Sequence, residues 1–133
     1  MVNETQVLSY KNNSGATIER YRAVVLDESY ASSVEYGSGA GVDGFIGVVV
    51  YDEIADGKEG SIQVSGRATA DAVTGTAISI GDYVKIGDTA GRVTKADQTT
   101  PSATYVIGRA ETATTGAAGE RVNFNIRPEY RSI

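Results

Sequence analysis

The stretch Arg121-Val122-Asn123-Phe124-Asn125-Ile126-Arg127 sets charged or amide side chains between apolar ones without a break. A period of two is what a strand needs when one face packs on a core and the other meets water. Val122, Phe124 and Ile126 therefore point inward. Working back along the chain, Tyr105-Val106-Ile107-Gly108-Arg109-Ala110 reads as a neighbouring strand. Tyr83-Val84-Lys85-Ile86 and Arg92-Val93-Thr94-Lys95 flank the glycine-bounded Gly87-Asp88-Thr89-Ala90-Gly91, the pattern of a hairpin with a five-residue loop. Lys85 and Lys95 sit at outward positions, as solubilising edge charges do.

Further back, Ser61-Ile62-Gln63-Val64-Ser65 alternates after the turn Gly57-Lys58-Glu59-Gly60. Phe45-Ile46-Gly47-Val48-Val49-Val50-Tyr51 is a run expected to be buried on both faces, and Ala23-Val24-Val25-Leu26 is a shorter one. Propensity does not decide residues 68–80. Asp27 to Gly44 reads as a long polar loop, a length more often functional than connective. Phe45-Ile46-Gly47 followed by Gly57-x-x-Gly60 and a strand is echoed by Val106-Ile107-Gly108 followed by Gly116-x-x-Gly119 and a strand. One strand–turn–strand device is thus used twice. The expected fold is all-β: a small single-domain β-barrel or β-sandwich of about seven short strands, spanning residues 21–133, with residues 1–20 as an N-terminal arm or a loosely attached first strand.

The 133 residues include sixteen glycines, two prolines, no cysteine and no histidine. Without cysteine there is no disulfide and no thiolate; without histidine the commonest general base and transition-metal ligand are missing. No serine lies in a nucleophile elbow and no carboxylate pair is singled out, so the reading is of a binder with no catalytic residues and no cofactor. Seventeen acidic residues against twelve scattered basic ones give a formal charge of −5, which does not suit a phosphate-tracking surface. No apolar run reaches the length of a membrane span, and the first residues lack a signal-peptide pattern. The expectation is a protein made in a cytoplasm, with neither nucleic acid nor membrane as partner.

Three local patterns have plain alternatives. Gly39-Ala40-Gly41-Val42-Asp43-Gly44 spells the dinucleotide fingerprint, but it runs into a strand where that site needs a helix, so a loop is expected. Asp52, Glu53, Asp56 and Glu59 cluster at a turn with no EF-hand spacing and read as solvated turn formers. Asn3-Glu4-Thr5 and Asn12-Asn13-Ser14 match glycosylation acceptors by chance. Tyr10, Tyr30 and Tyr36 fall outside the expected strands, where a tyrosine either covers the end of a core or meets a partner. Val7, Leu8 and Tyr10 in the arm, with Tyr30 and Tyr36 in the loop, are the candidate contact residues.

Taken in order, the segments Ile46-Gly47-Val48, Ala55 to Gly66 (ADGKEGSIQVSG), Ile78 to Val84 (ISIGDYV), Gly91 to Thr94 (GRVT), Val106 to Ala110 (VIGRA) and Gly119 to Ile126 (GERVNFNI) resemble the capsid decoration, or cement, proteins of tailed phages. That resemblance implies a homotrimer on the capsid exterior of the virion, bound to the major capsid protein and stabilising the expanded head against internal pressure. It also makes Val7, Leu8, Tyr10, Tyr30 and Tyr36 the residues expected to bind the capsid. A fibre or tail-associated β-module, or a carbohydrate- or calcium-binding module, are the alternatives.

Overall fold

The computed structural model describes residues 4–37, 44–97 and 104–131. They hold ten strands and no helix: β1 (Val7–Asn12), β2 (Ala23–Leu26), β3 (Ser33–Tyr36), β4 (Phe45–Val49), β5 (Glu59–Gln63), β6 (Arg67–Asp71), β7 (Tyr83–Ile86), β8 (Val93–Lys95), β9 (Thr104–Ala110) and β10 (Arg121–Arg131). The all-β reading holds, with two five-stranded sheets in place of about seven strands.

The first sheet closes into a barrel of order β1-β3-β2-β4-β5. Its closing strand is β1, antiparallel to β5 from Val7↔Gln63 to Lys11↔Glu59 and parallel to β3 at Lys11↔Ser33 and Asn12↔Val34. The stretch expected to be an arm or a loosely attached strand is therefore a barrel stave. Its polar composition is misleading because a stave needs only one inward face, and here that face ends on an amide: buried Asn12 donates from Nδ2 to the carbonyls of Ala16 and Ile54 and accepts Ser14 N–H. The long loop likewise contains a strand, β3, whose single fully apolar core residue, Val34, gave little pattern to detect.

The second sheet, β6-β10-β9-β7-β8, repeats the first strand for strand. Val24↔Gly47 and Ala23↔Val48 in the first half match Val84↔Gly108 and Tyr83↔Arg109 in the second. Leu8↔Ile62 matches Ala68↔Phe124, and Lys11↔Glu59 matches Asp71↔Arg121. Tyr21 and Gly81 both stand at positive φ, 68° and 91°. Their N–H groups donate to the carbonyls of Val49 and Ala110, whose own N–H groups return to Arg22 and Asp82. The sequence repeat therefore extends over the whole chain.

Each half fills its interior with the same six positions. Ile18, Val24, Val34, Val49, Ile54 and Ile62 form one buried cluster. Their counterparts are Ile78, Val84, Val93, Ala110, Thr114 and Phe124, all buried. Two positions are smaller in the second half and one is larger, as close packing at nearly fixed volume requires. The Thr114 hydroxyl also accepts the Ile78 N–H at 3.1 Å.

The halves are joined by a shared core, in which Ala23, Phe45 and Val48 of the first pack with Ile86, Ile107 and Val122 of the second. Polar contacts sit on top of it. Asp71 N–H donates to Tyr21 O, Ala23 N–H to Gly91 O and Gly91 N–H to Gly37 O. The buried Arg22 guanidinium pairs with Asp71 at 2.8 Å and donates to Ala90 O at 3.0 Å. This joint explains why only the first half closes fully. Lys11 N–H completes the first barrel by donating to Ser32 O, whereas its counterpart, Asp71 N–H, is given to the other half. A single parallel bridge, Ala72 to Val93, remains at that place in the second half.

Candidate functional site

The five candidate contact residues do not form one patch of equal exposure. Leu8 on β1 is 49% exposed and Tyr30, in the turn before β3, is 55% exposed. Val7 is half-buried. Tyr10 and Tyr36 are half-buried too and pack against the core of the first barrel. The Tyr36 hydroxyl accepts Glu19 N–H and donates to Thr17 O, which holds the chain entering β2. Two of the five thus cover the end of a core, and two stand free for a partner.

The larger open surfaces are two hollows of opposite charge. The first, about 620 Å³, lies at the free end of the first half and is lined by Val25, Leu26, Asp27, Glu28, Ser29, Glu35, Gly44, Phe45 and Ile46. Leu26 is 46% exposed there. Burial raises the Glu35 carboxyl above its usual range, and the negative charges of Asp27 and Glu28 raise it further. Asp27 Oδ1 accepts Ser29 N–H, which fixes the turn.

The second hollow, about 340 Å³, belongs to the second half and is lined by Tyr83, Gly108, Arg109, Glu111, Asn125, Arg127, Glu129 and Arg131. The Arg109 and Arg131 guanidinium carbons stand 5.0 and 4.1 Å from the Tyr83 ring centroid, within cation–π range. Arg109 Nε donates to Gly81 O, and Arg131 pairs with Glu129 at 3.2 Å. Arg127 has no ion pair among the described residues. Arg131 Nε and Asn125 Oδ1 are buried without a partner. Sequence reading missed this surface because three arginines spread over Arg109 to Arg131 look scattered. Strand alternation could not have grouped them, because the register of β10 against β9 shifts between Ile126 and Glu129.

The acidic turn is used locally. Asp56 Oδ1 accepts Gly15 N–H and Asp52 Oδ1 accepts Glu53 N–H, and among the described residues no three carboxylates converge as a metal site would need. Residues 39–43 of the glycine motif lie outside the described residues; Gly44 leads directly into β4.

No curated protein matches this chain. Among solved structures, it is similar to the N base of head fiber gp8.5 from bacteriophage phi29, with a TM-score of 0.65 and 16% identity over 93% of this chain and 95% of that one. At that identity the likeness is one of fold. The phage cement protein family matches residues 2–126. A match over nearly the whole chain, on an all-β fold shared with a head-fiber base, places it: the chain belongs to the phage cement protein family and is a structural protein of the virion.

Proposed function

We propose that this protein decorates the outer surface of the expanded phage head as a homotrimer, binding the major capsid protein and stabilising the shell against internal pressure. The observation that carries this reading is membership of the cement family over residues 2–126. The chemistry is compatible: a net charge of −5 does not attract packaged DNA, and several linked copies multiply weak contacts to a repeated lattice through effective concentration. Exposed Leu8 and Tyr30 are the proposed capsid contacts, with half-buried Val7, Tyr10 and Tyr36 supporting them.

The test is co-sedimentation with expanded, undecorated heads. Saturable binding, with a raised threshold for pressure-driven DNA loss, is expected; absence of binding at saturating protein refutes the reading. Leu8→Asp with Tyr30→Ala should weaken binding at least tenfold while leaving the urea midpoint nearly unchanged.

A second reading, the base of a head fibre, is favoured by the likeness to the phi29 head-fiber base. Electron microscopy of reconstituted heads separates the two, since compact knobs fit decoration and projecting density fits a fibre.

A further inference from the structure

The duplicated fold leaves each half with one face that its twin uses and it does not. In the first half, the face around Tyr21, Arg22, Ala23 and Val48 is covered by the second half. The corresponding residues of the second half are Gly81, Asp82, Tyr83 and Arg109, and they border or line the open arginine hollow. Conversely, the second half docks through Asp71, Ile86 and Gly91. Their counterparts in the first half are Lys11, Leu26 and Ser32. Ile86 is buried, whereas Leu26 is 46% exposed and lines the acidic hollow.

From this we infer that a second copy of this chain docks the acidic hollow of its first half against the arginine hollow of the second half, head to tail. The contact repeats the joint between the two halves of one chain. Charge supports this pairing and opposes the alternatives. The joint inside the chain pairs Arg22 with Asp71; the counterparts are Asp82 and Lys11, so between copies Lys11 joins Ser79 N–H and Lys95, 3.9 Å away, at the Asp82 carboxylate, with the signs of the pair exchanged. One face carries Asp27, Glu28 and Glu35 and the other Arg109, Arg127 and Arg131 with Glu111 and Glu129, an acidic surface against one of net positive charge. Like faces placed together would set Glu35 against Glu35, which disfavours a two-fold dimer.

One bond is not repeated, because Lys11 N–H is already given to Ser32 O. The contact between copies thus lacks that backbone bond and is weaker than the joint inside the chain. A head-to-tail contact forms a closed ring when its rotation divides the circle, and a trimer would set six halves in that ring. The inference rests on the proposed trimer and names its interface.

The absence of cysteine makes a direct test clean. Single variants Lys11→Cys and Asp82→Cys are mixed and oxidised. Covalent dimers joining one variant to the other are expected, and neither variant alone should cross-link. Cross-linking of Lys11→Cys to itself would show a two-fold contact and overturn the proposal. In parallel, Arg109→Glu/Arg127→Glu and Glu28→Lys/Glu35→Lys should each reduce the light-scattering mass to one copy, and the variant that carries all four exchanges should recover the wild-type mass. If both variants stay trimeric, the interface is wrong while the trimer stands. If the wild-type protein is a monomer at 200 µM, near the ~1 mM regime where only weak contacts act, the interface and the solution trimer both fall, and head binding is judged separately by co-sedimentation. Unchanged far-ultraviolet circular dichroism and urea midpoints show that the variants remain folded.

Discussion

At the scale of single residues, two glycines are fixed by close approach and not by turn geometry. A Cβ on Gly47 would stand 2.1 Å from the Gln63 carbonyl oxygen, and one on Gly108 would stand 2.2 Å from the Asn125 carbonyl oxygen. Both oxygens belong to the paired strand, so the ladder itself must open. Gly47→Ala and Gly108→Ala are each expected to cost about 2–4 kcal/mol, in the range of severe overpacking, read as a fall in urea midpoint. Arg22 acts in the opposite sense, since its removal leaves Asp71 with Arg121 alone and takes a donor from the Ala90 carbonyl. Breaking a buried pair from one side costs about 3–5 kcal/mol when the other charge is left alone; because Asp71 keeps Arg121, Arg22→Ala should cost less than that range. Glu120 supplies a pH-dependent contact. Its carboxylate accepts the Thr115 hydroxyl and the N–H groups of Thr115 and Ala117, and these bonds, the Thr115 hydroxyl first, lower its pKa. An acid whose folded pKa is depressed contributes stability that is present above its unfolded value and lost as pH falls through the folded one. Glu120→Gln should therefore lower the melting temperature at pH 7, and the difference should shrink as the pH falls below the ordinary value of 4.5 and vanish below the lowered folded value.

At the scale of elements, the two barrels solve one packing problem with different side chains. Where the first has Val49, Ile54 and Ile62, the second has Ala110, Thr114 and Phe124. Ile62→Phe in the first barrel places the larger ring among uncut neighbours and should destabilise by about 1–3 kcal/mol; adding Val49→Ala should recover part of the loss. If the double variant is worse than the sum of the singles, the halves do not share this arrangement. This compensation also marks what could be read in the sequence. Arg121–Arg127 and the β7–β8 hairpin were legible because their alternation survives intact, and Val122 and Phe124 are buried as that alternation requires. The repeat showed only where glycine makes the same contact twice, because elsewhere the paired positions exchange size or charge. β3 was missed, and β1 was read only as an arm or a loosely attached strand, because both bury polar groups, Asn12 and Ser33, that a hydrophobic pattern cannot register. Of the candidate contact residues, the exposure of Leu8 and Tyr30 could be read from position. The charged hollows could not: the arginine hollow gathers residues from Tyr83 to Arg131, and the acids of the other, Asp27, Glu28 and Glu35, lie in a segment read as a loop.

At the scale of the whole molecule, the duplication fixes how the chain unfolds. The first half has an apolar cluster of its own, but Ala23 and Val48 on its outer face are fully or almost fully buried only because the second half covers them. The second half depends on the joint more heavily. Its barrel is closed by one bridge, and its Asp71 N–H has no use within its own sheet. Residues 66–133 expressed alone should therefore lack a fixed fold, whereas residues 1–65 should retain some strand content. In the intact chain the shared core links the halves into one cooperative unit. Urea transitions followed by tyrosine signals, which sample both halves, and by far-ultraviolet circular dichroism should coincide. Gly47→Ala in the first half should move both together. A biphasic curve in which only one half responds would mean that the joint is weaker than either barrel. A repeat of that joint between copies would then be too weak to assemble the protein.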